Sequence, residues 1–280
     1  LKKRSLSNFL FKPKETNCPA FSGYNLLRHW IPRRQMNRFF SINALRLTLR
    51  EADLRPLRQQ ALRGIEIAII GDSNTGRHAL AEQMRRDPNT GSHSEAPIHI
   101  LEWDSADKAV SADLIILIVR GSKPDISHER LLADEWQHAQ KSVLILILPD
   151  LAPDSMATSP WPVKVRRRVL VGMPDDERFL LEKLVPAVIA LVPNLTLTLG
   201  RYFPLFRLAI ARALIKQTCL SNAAYSMSTG LAEIVAVLDI PITITDTVVL
   251  TKAQALMVYK MGLALGFSTR WQDYLGEFGS

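Results

Sequence analysis

Cysteine is scarce in this sequence, and the residue patterns of several enzyme classes are missing. The two cysteines, Cys18 and Cys219, stand far apart in the 280-residue chain. Their placement argues against a disulfide framework or a cysteine-based metal site and fits a reducing cytoplasm. No G-x-S-x-G nucleophile elbow occurs. No metal-binding H-E-x-x-H pair is formed by the six histidines, which are His29, His78, His93, His99, His128 and His138.

A long uninterrupted hydrophobic run is also absent. The best candidate, residues 184–200 (LVPAVIALVPNLTLTLG), carries no charge and contains Pro186 and Pro193. It is shorter than the ~20 residues that a transmembrane helix needs. The sequence therefore predicts no clear membrane-spanning helix.

Acidic residues are nearly missing from the N-terminal end. Residues 1–50 contain eleven Lys or Arg and one acid, Glu15, so this end carries +10, whereas the whole chain carries +8. Such an arm favours anionic partners, which include lipid headgroups, nucleic acid and an acidic protein face. The alternative is a solvated tail without a partner. We assign residues 1–52 to a basic N-terminal arm.

An alternating pattern of strands and helices follows, and we assign residues 53–193 to one α/β domain. Near-continuous runs such as DLIILIV and VLILIL predict strands buried on both faces, as in a parallel sheet. The predicted strands are 65–70, 98–103, 114–119, 143–148 and 165–171. Helical patterns lie at 77–86, 127–140 and 175–192, and Ser127 is the expected cap of the second. This predicts a small three-layer, mostly parallel α/β sheet of a degenerate P-loop or Rossmann-like type.

Strand signals fade after Pro193, and we assign residues 194–280 to a hydrophobic α-helical domain. The stretch PLFRLAIARALIKQTCLSNAAYSM predicts a helix that starts near Pro204. The stretch VVLTKAQALMVYKMGLALGF predicts a second long helix, closed by Gly266. Between them, STGLAEIVAVLDIPITITD has a hairpin-like pattern with its turn at Asp239 and Pro241.

The stretch GDSNTGRH has the outline of a nucleotide phosphate loop. Gly71 and Gly76 have the G-x4-G spacing of such a loop, between a predicted strand and a predicted helix. A working loop then needs Lys and Ser or Thr, but Arg77 and His78 occupy those positions. The alternative is a plain turn between a strand and a helix. The candidate nucleotide- or phosphate-binding residues are Gly71, Asp72, Ser73, Asn74, Thr75, Gly76 and Arg77.

Other parts of a GTP-hydrolysing domain are missing. Only residues 87–96 separate the first helix from the next strand, which leaves no room for a switch loop and an extra edge strand. Asp104 stands where a carboxylate could hold a metal ion, but Asp107 replaces the glycine of a D-x-x-G switch. Strand 143–148 leads into PDLAPD, without the Lys of a guanine-reading motif. We therefore expect no NTP hydrolysis.

Several short motifs occur together near the C-terminus: Asn222-Ala223, TGLAEI, LDIP, LTKAQALMVYK and LALGF. With them, residues 175–280 resemble a bacterial domain of unknown function that is found fused behind Era-like GTPases and is associated with the inner membrane. The preceding α/β part resembles a reduced G-domain-like module of the same proteins. The resemblance implies further hydrophobic helical sequence after residue 280, and it brings no established reaction with it.

We expect a non-catalytic, membrane-associated adaptor or scaffold, cytoplasmic and peripheral to the inner membrane of a bacterium. Its partners would be an anionic membrane surface, another protein, or both, and it would retain at most weak binding of a nucleotide or phosphate anion. One alternative is a nucleotide-dependent, GTPase-like switch, in which residues 71–77 hold the phosphates of GTP or ATP and Asp104 holds Mg²⁺. A second alternative is nucleic-acid binding through the arm, which would weaken steeply with salt.

Overall fold

The computed structural model describes residues 49–88, 90–149, 161–235 and 242–273. The chain forms two compact units. The α/β unit comprises residues 55–215 and 263–267, and the helical unit includes the described residues 49–54, 216–235, 242–262 and 268–273. The predicted basic arm lies outside the described residues up to position 48, and the predicted boundary at Pro193 falls inside the α/β unit.

A five-stranded parallel sheet forms the centre of the α/β unit. Its strands are β1 (Ile67–Gly71), β2 (Ile98–Leu101), β3 (Leu114–Arg120), β4 (Ser142–Leu148) and β5 (Val169–Val171). Their order across the sheet is β2-β1-β3-β4-β5, and every pair is parallel. The predicted parallel α/β sheet is thus confirmed. The strand order reverses between β1 and β3, and parallel sheets bind ligands at the carboxyl edge of such a reversal.

Helical segments connect the strands and continue after the last one. Those around the sheet are α1 (Arg55–Leu62), α2 (Arg77–Arg85), a 3₁₀ helix (Trp103–Ser111), α3 (Ser127–His138) and α4 (Val163–Arg166). Those after β5 are α5 (Glu177–Phe179), a π-helical turn (Leu180–Leu184), α6 (Val185–Leu191), α7 (Thr196–Tyr202), α8 (Arg207–Val235) and α9 (Ile242–Ala264). Short 3₁₀ turns, Pro193–Leu195 and Pro204–Phe206, precede α7 and α8.

Both faces of the sheet are buried. Ala68 and Ile70 point to one face and Ile67 and Ile69 to the other, and all four are 0% exposed. On the first face, an apolar cluster joins the strands to the 3₁₀ helix, α3 and α4. Helix α2 packs on β1 and β2. Because residues on both faces are sealed from water, the sheet is the middle layer of three.

Two local predictions need correction. The sequence predicts a strand over 165–171, but α4 occupies its first part, because the N–H groups of Val165 and Arg166 both donate to the carbonyl oxygen of Pro162. The predicted cap of α3, Ser127, is instead the first residue of that helix. Ile126 is the N-cap, without a side-chain capping bond, and the carboxylate of Asp125 accepts the Ser127 N–H at 2.9 Å.

The segment that follows Pro193 is attached to α1 by polar contacts. The hydroxyl of Thr198, which is fully buried, donates to the carbonyl oxygen of Gln60 at 2.6 Å. The side-chain amide of Gln60 donates in turn to the carbonyl oxygen of Asn194 at 2.6 Å. These bonds connect residues far apart in sequence, so the fall in strand signal at Pro193 marks a change of structure within one compact unit.

The C-terminal part of the chain is helical, as predicted. Helix α8 begins at Arg207, and the chain leaves α9 through Gly266, whose φ is 86°. The predicted turn residues Asp239 and Pro241 lie outside the described residues, and the backbone on either side of them is helical rather than extended. Within the helical unit, buried Tyr259 donates its hydroxyl to the carbonyl oxygen of Thr269 at 2.7 Å.

In the part of the chain that the structure describes, no single helix combines the length and apolar character needed to cross a membrane. Two consecutive stretches, Glu177–Leu191 and Pro193–Tyr202, meet that requirement only together, and they are bent by 99° relative to each other.

Candidate phosphate-loop site

The predicted phosphate loop is a tight turn between β1 and α2, at the carboxyl edge of the sheet. The turn is closed by Asp72, whose carbonyl oxygen accepts the backbone N–H of Thr75 at 3.2 Å and the hydroxyl of Thr75 at 2.7 Å. A phosphate loop presents its N–H groups to the ligand. Here the N–H of Thr75 is directed to a backbone oxygen of the turn itself.

The side chain of Thr75 occupies the inside of this turn. Thr75 is 1% exposed, although it lies in a connection between two elements. A Cβ atom built on Gly71 would lie 2.7 Å from the Thr75 hydroxyl oxygen and 2.7 Å from the carbonyl oxygen of Ile118. Glycine at position 71 therefore makes room for Thr75 and for β3, and the space between Gly71 and Thr75 is filled by the protein.

A segment from the far side of the sheet lies against the end of the turn. Gly76 has a φ of 74° and precedes α2 as its N-cap without a side-chain capping bond. A Cβ atom on Gly76 would lie 3.1 Å from Cγ of Pro174, in the connection that follows β5. Gly76 is thus required both by its left-handed backbone conformation and by the close approach of Pro174.

Arg77 does not stand in for the lysine of a phosphate loop in this conformation. Its guanidinium donates one bond to the carbonyl oxygen of Leu101, at the end of β2, and another to Glu102 Oε1 at 3.0 Å. Arg77 is 5% exposed, and its Nε has no hydrogen-bond partner among the described residues. The positive charge at this position therefore holds the end of β2 against the start of α2.

A second group of charges lies beside the turn at the β1–β3 reversal. Lys123 follows β3 and pairs with Glu129 of α3, which is 1% exposed, and with Asp72 at 3.6 Å. The ammonium of Lys123 also lies 5.6 Å from the centre of the Trp103 ring, within the range of a cation–π contact. Asp72, a predicted phosphate-loop residue, is thus bound to a cation of the protein.

The pKa of Lys123 is raised above its ordinary value by this environment. Partial burial lowers the pKa, but the hydrogen bond to Glu129 and the negative charges of Glu129 and Asp72 outweigh burial. The ammonium is therefore charged throughout the neutral range, and it balances the carboxylate of the buried Glu129.

The turn is also tied to the end of β3. The guanidinium of Arg120 donates a hydrogen bond of 3.0 Å to the carbonyl oxygen of Asn74. Of the remaining predicted residues, Ser73 and Asn74 are exposed, as is the neighbouring His78. The structure therefore brings the predicted residues 71–77 together in one turn. The inside of that turn is filled by atoms of the protein.

Asp104, the predicted metal ligand, lies in the first turn of the 3₁₀ helix and is exposed. Within the described ranges, no group of three or more His, Cys, Asp or Glu side chains is arranged to hold a metal ion. Asp104 as a Mg²⁺ ligand stays a prediction.

Sequence reasoning missed the residues that close the turn from outside. Arg120 ends β3, Lys123 follows β3 and Pro174 follows β5, and each reaches the turn after β1 across the carboxyl edge of the sheet. A parallel sheet brings the carboxyl ends of its strands to one edge, so the topology gives their approximate neighbourhood. No sequence pattern indicates that the side chains of these residues point toward the turn.

Comparison with protein families and with curated proteins finds no match for this chain. The resemblance to the domain fused behind Era-like GTPases stays a prediction from the short C-terminal motifs.

Proposed function

We propose that this protein is a non-catalytic adaptor or scaffold that associates with the inner surface of a bacterial inner membrane. The proposal that the protein is non-catalytic rests on the position of Thr75. Its side chain fills the turn, and its N–H and hydroxyl both bond to Asp72. A nucleotide phosphate would have to displace this side chain before it could meet the inner surface of the turn.

The turn is best understood as a degenerate phosphate loop of a P-loop or Rossmann-like domain. Three features favour that origin. They are the G-x4-G spacing, the left-handed backbone conformation of Gly76 and the location of the turn at the reversal of strand order between β1 and β3. The parts needed for turnover are replaced, because Arg77 bonds to the end of β2 and His78 cannot supply the hydroxyl for Mg²⁺.

Membrane association is supported by charge. Residues 1–50 carry eleven basic residues and one acid, and a juxtamembrane cation contributes about 1 kcal/mol of attraction to an anionic leaflet. Stable attachment generally needs two signals. Helix α8 offers apolar residues as a further contribution, since Leu220 is 60% exposed and Met227 is 69% exposed.

The test is co-sedimentation of the full chain with vesicles of phosphatidylcholine alone and of equimolar phosphatidylcholine and phosphatidylglycerol. We expect pelleting with the anionic vesicles only, and weaker pelleting when the eleven basic residues of positions 1–50 are replaced by Gln. Absence of pelleting with anionic vesicles at low salt would contradict the proposal.

A nucleotide-dependent switch is the second candidate, because the turn lies at the edge where parallel sheets bind ligands. This function requires a rearranged turn in which Thr75 leaves the interior and Lys123 leaves Asp72. Saturable, Mg²⁺-dependent binding of GTP or ATP would favour the switch over the scaffold.

A further inference from the structure

A cluster of basic residues lies next to β5, far from the phosphate-loop turn in sequence. Lys164, Arg166 and Arg167 are all exposed, and Arg168 follows them directly. Residues 155–174 contain no acid. We call Lys164, Arg166 and Arg167 the basic edge.

The fold fixes the basic edge at the amino-terminal edge of the sheet. The N–H of Ile145 in β4 donates to the carbonyl oxygen of Arg168 at 2.9 Å, so the residues before β5 lie beside the start of β4. The guanidinium of Arg168 donates to Gln137 of α3 at 2.9 Å. Lys141, which directly precedes β4, adds a cation to the same edge of the sheet. The basic edge and Lys141 thus belong to the same edge of the sheet in the α/β unit.

The charges of the basic edge are not balanced by described acids. None of its three residues forms an ion pair with any residue that the structure describes, and Arg166 uses its Nε to donate to the carbonyl oxygen of Trp161 at 3.3 Å. Three like charges within four consecutive residues repel each other, and an anionic partner would relieve that repulsion.

An exposed apolar side chain lies at the start of this basic segment. Val163 begins α4 and is 76% exposed, the largest exposed fraction among the large hydrophobic residues of the described chain. It precedes Lys164 directly, while Trp161 nearby is buried and provides no exposed ring. An exposed aliphatic group next to basic residues in the chain suits the boundary between lipid headgroups and acyl chains. Binding of single-stranded nucleic acid usually includes exposed aromatic side chains for stacking.

We propose that the basic edge docks the α/β unit on an anionic membrane surface, with Val163 entering the headgroup region. This inference rests on the proposed membrane association and adds to it a defined contact surface outside the N-terminal arm. Two attachment points would hold the α/β unit in one orientation, whereas the arm alone would leave it free to rotate.

The experiment measures binding of the full chain to equimolar phosphatidylcholine–phosphatidylglycerol vesicles by flotation at several salt concentrations. The test variant is Lys164→Gln/Arg166→Gln/Arg167→Gln. The control variant, Lys108→Gln/Arg130→Gln/Lys183→Gln, loses the same charge from three exposed residues at other places in the α/β unit. Equal thermal midpoints and circular dichroism spectra establish that both variants are folded.

We expect the basic-edge variant to bind the vesicles at least about tenfold more weakly than wild type, because each cation near an anionic leaflet contributes about fivefold. The control variant should lose less than about threefold through its lower net charge. Val163→Ser should weaken vesicle binding and leave binding to a double-stranded DNA fragment unchanged.

Three outcomes would overturn the inference. If the wild-type chain fails to bind the vesicles, the proposed membrane function fails, and the basic edge has no membrane role. If the wild type binds and the basic-edge and control variants lose the same affinity, only the docking surface is wrong. If the basic-edge variant loses affinity for double-stranded DNA but not for vesicles, the surface belongs to a nucleic acid.

Discussion

The hydroxyl of Thr75 donates a 2.7 Å hydrogen bond to the carbonyl oxygen of Asp72, inside the turn that joins β1 to α2. It holds the Thr75 side chain in the space in which a phosphate loop would hold its ligand. Removing the hydroxyl while keeping the shape, in Thr75→Val, should lower the free energy of unfolding by about 1 kcal/mol, the typical loss for one buried hydrogen bond. Urea unfolding measures this change.

The matched control for Thr75 is Ser73→Ala, because Ser73 lies in the same turn but is exposed. We expect this variant to stay within about 0.5 kcal/mol of wild type. Equal losses in both variants would show that the interior position of Thr75 has no energetic consequence.

A side chain at position 76 should destabilise the fold. Gly76→Ala would place a Cβ at a φ of 74° and 3.1 Å from Pro174 Cγ, so we expect a loss of about 1–2 kcal/mol in the free energy of unfolding. Gly64→Ala is the control, since a Cβ there meets no atom within 4 Å. Measurement of both by thermal unfolding would contradict the described geometry if Gly64→Ala were the more destabilising change.

Lys123 should be needed for stability, because it is the cation that pairs with the buried carboxylate of Glu129. Lys123→Met leaves Glu129 buried without its partner, and we expect a loss of about 2–4 kcal/mol. This range lies slightly below that of a fully buried pair, because the Lys123 side chain is 30% exposed. Chemical denaturation measures it, with Lys108→Met as an exposed-lysine control.

The double variant Lys123→Met/Glu129→Met tests the cause of that loss. Because it removes the unpaired carboxylate together with the ammonium, it should be more stable than Lys123→Met alone. A double variant that is less stable than the single one would show that the two residues stabilise the fold independently.

The stabilisation from Lys123 should disappear at alkaline pH. Its pKa is higher in the folded chain than in the unfolded chain, so its contribution is complete below the unfolded value of about 10.4 and is lost as the pH rises through the folded value. The stability difference between wild type and Lys123→Met should therefore be constant from neutral pH to about pH 9 and shrink as the pH rises above the unfolded value. A difference that grows at alkaline pH would contradict the described pairing.

The buried strands could be predicted from the sequence because their Val, Ile and Leu runs are continuous. The runs around Ile67, Leu114 and Ser142 all form strands that pair in parallel within the central sheet. The residues before β5 were predicted wrongly for a local reason. The apolar residues around Val165 alternate with basic residues, as in a strand. A helical turn nevertheless begins after Pro162 and ends at Arg166.

The sequence predicts where the candidate site lies along the chain, but it does not predict how the side chains of the site are arranged. The glycine spacing located the turn between Gly71 and Gly76, and the structure places a turn there. Whether Thr75 points into the turn or out of it depends on its contact with Asp72 and on the close approach of β3. The approach of Pro174 depends on a connection about a hundred residues further along the chain, and such side-chain directions follow from tertiary packing.

The most direct test of the proposed non-catalytic scaffold is a titration of the full chain with fluorescent GTP and ATP, with and without Mg²⁺. Because Thr75 fills the turn and Arg77 is bound to the end of β2, we predict no saturable, Mg²⁺-dependent binding of either nucleotide. Saturable binding that requires Mg²⁺ and is lost in Gly76→Val would contradict this prediction and establish the nucleotide-dependent switch instead.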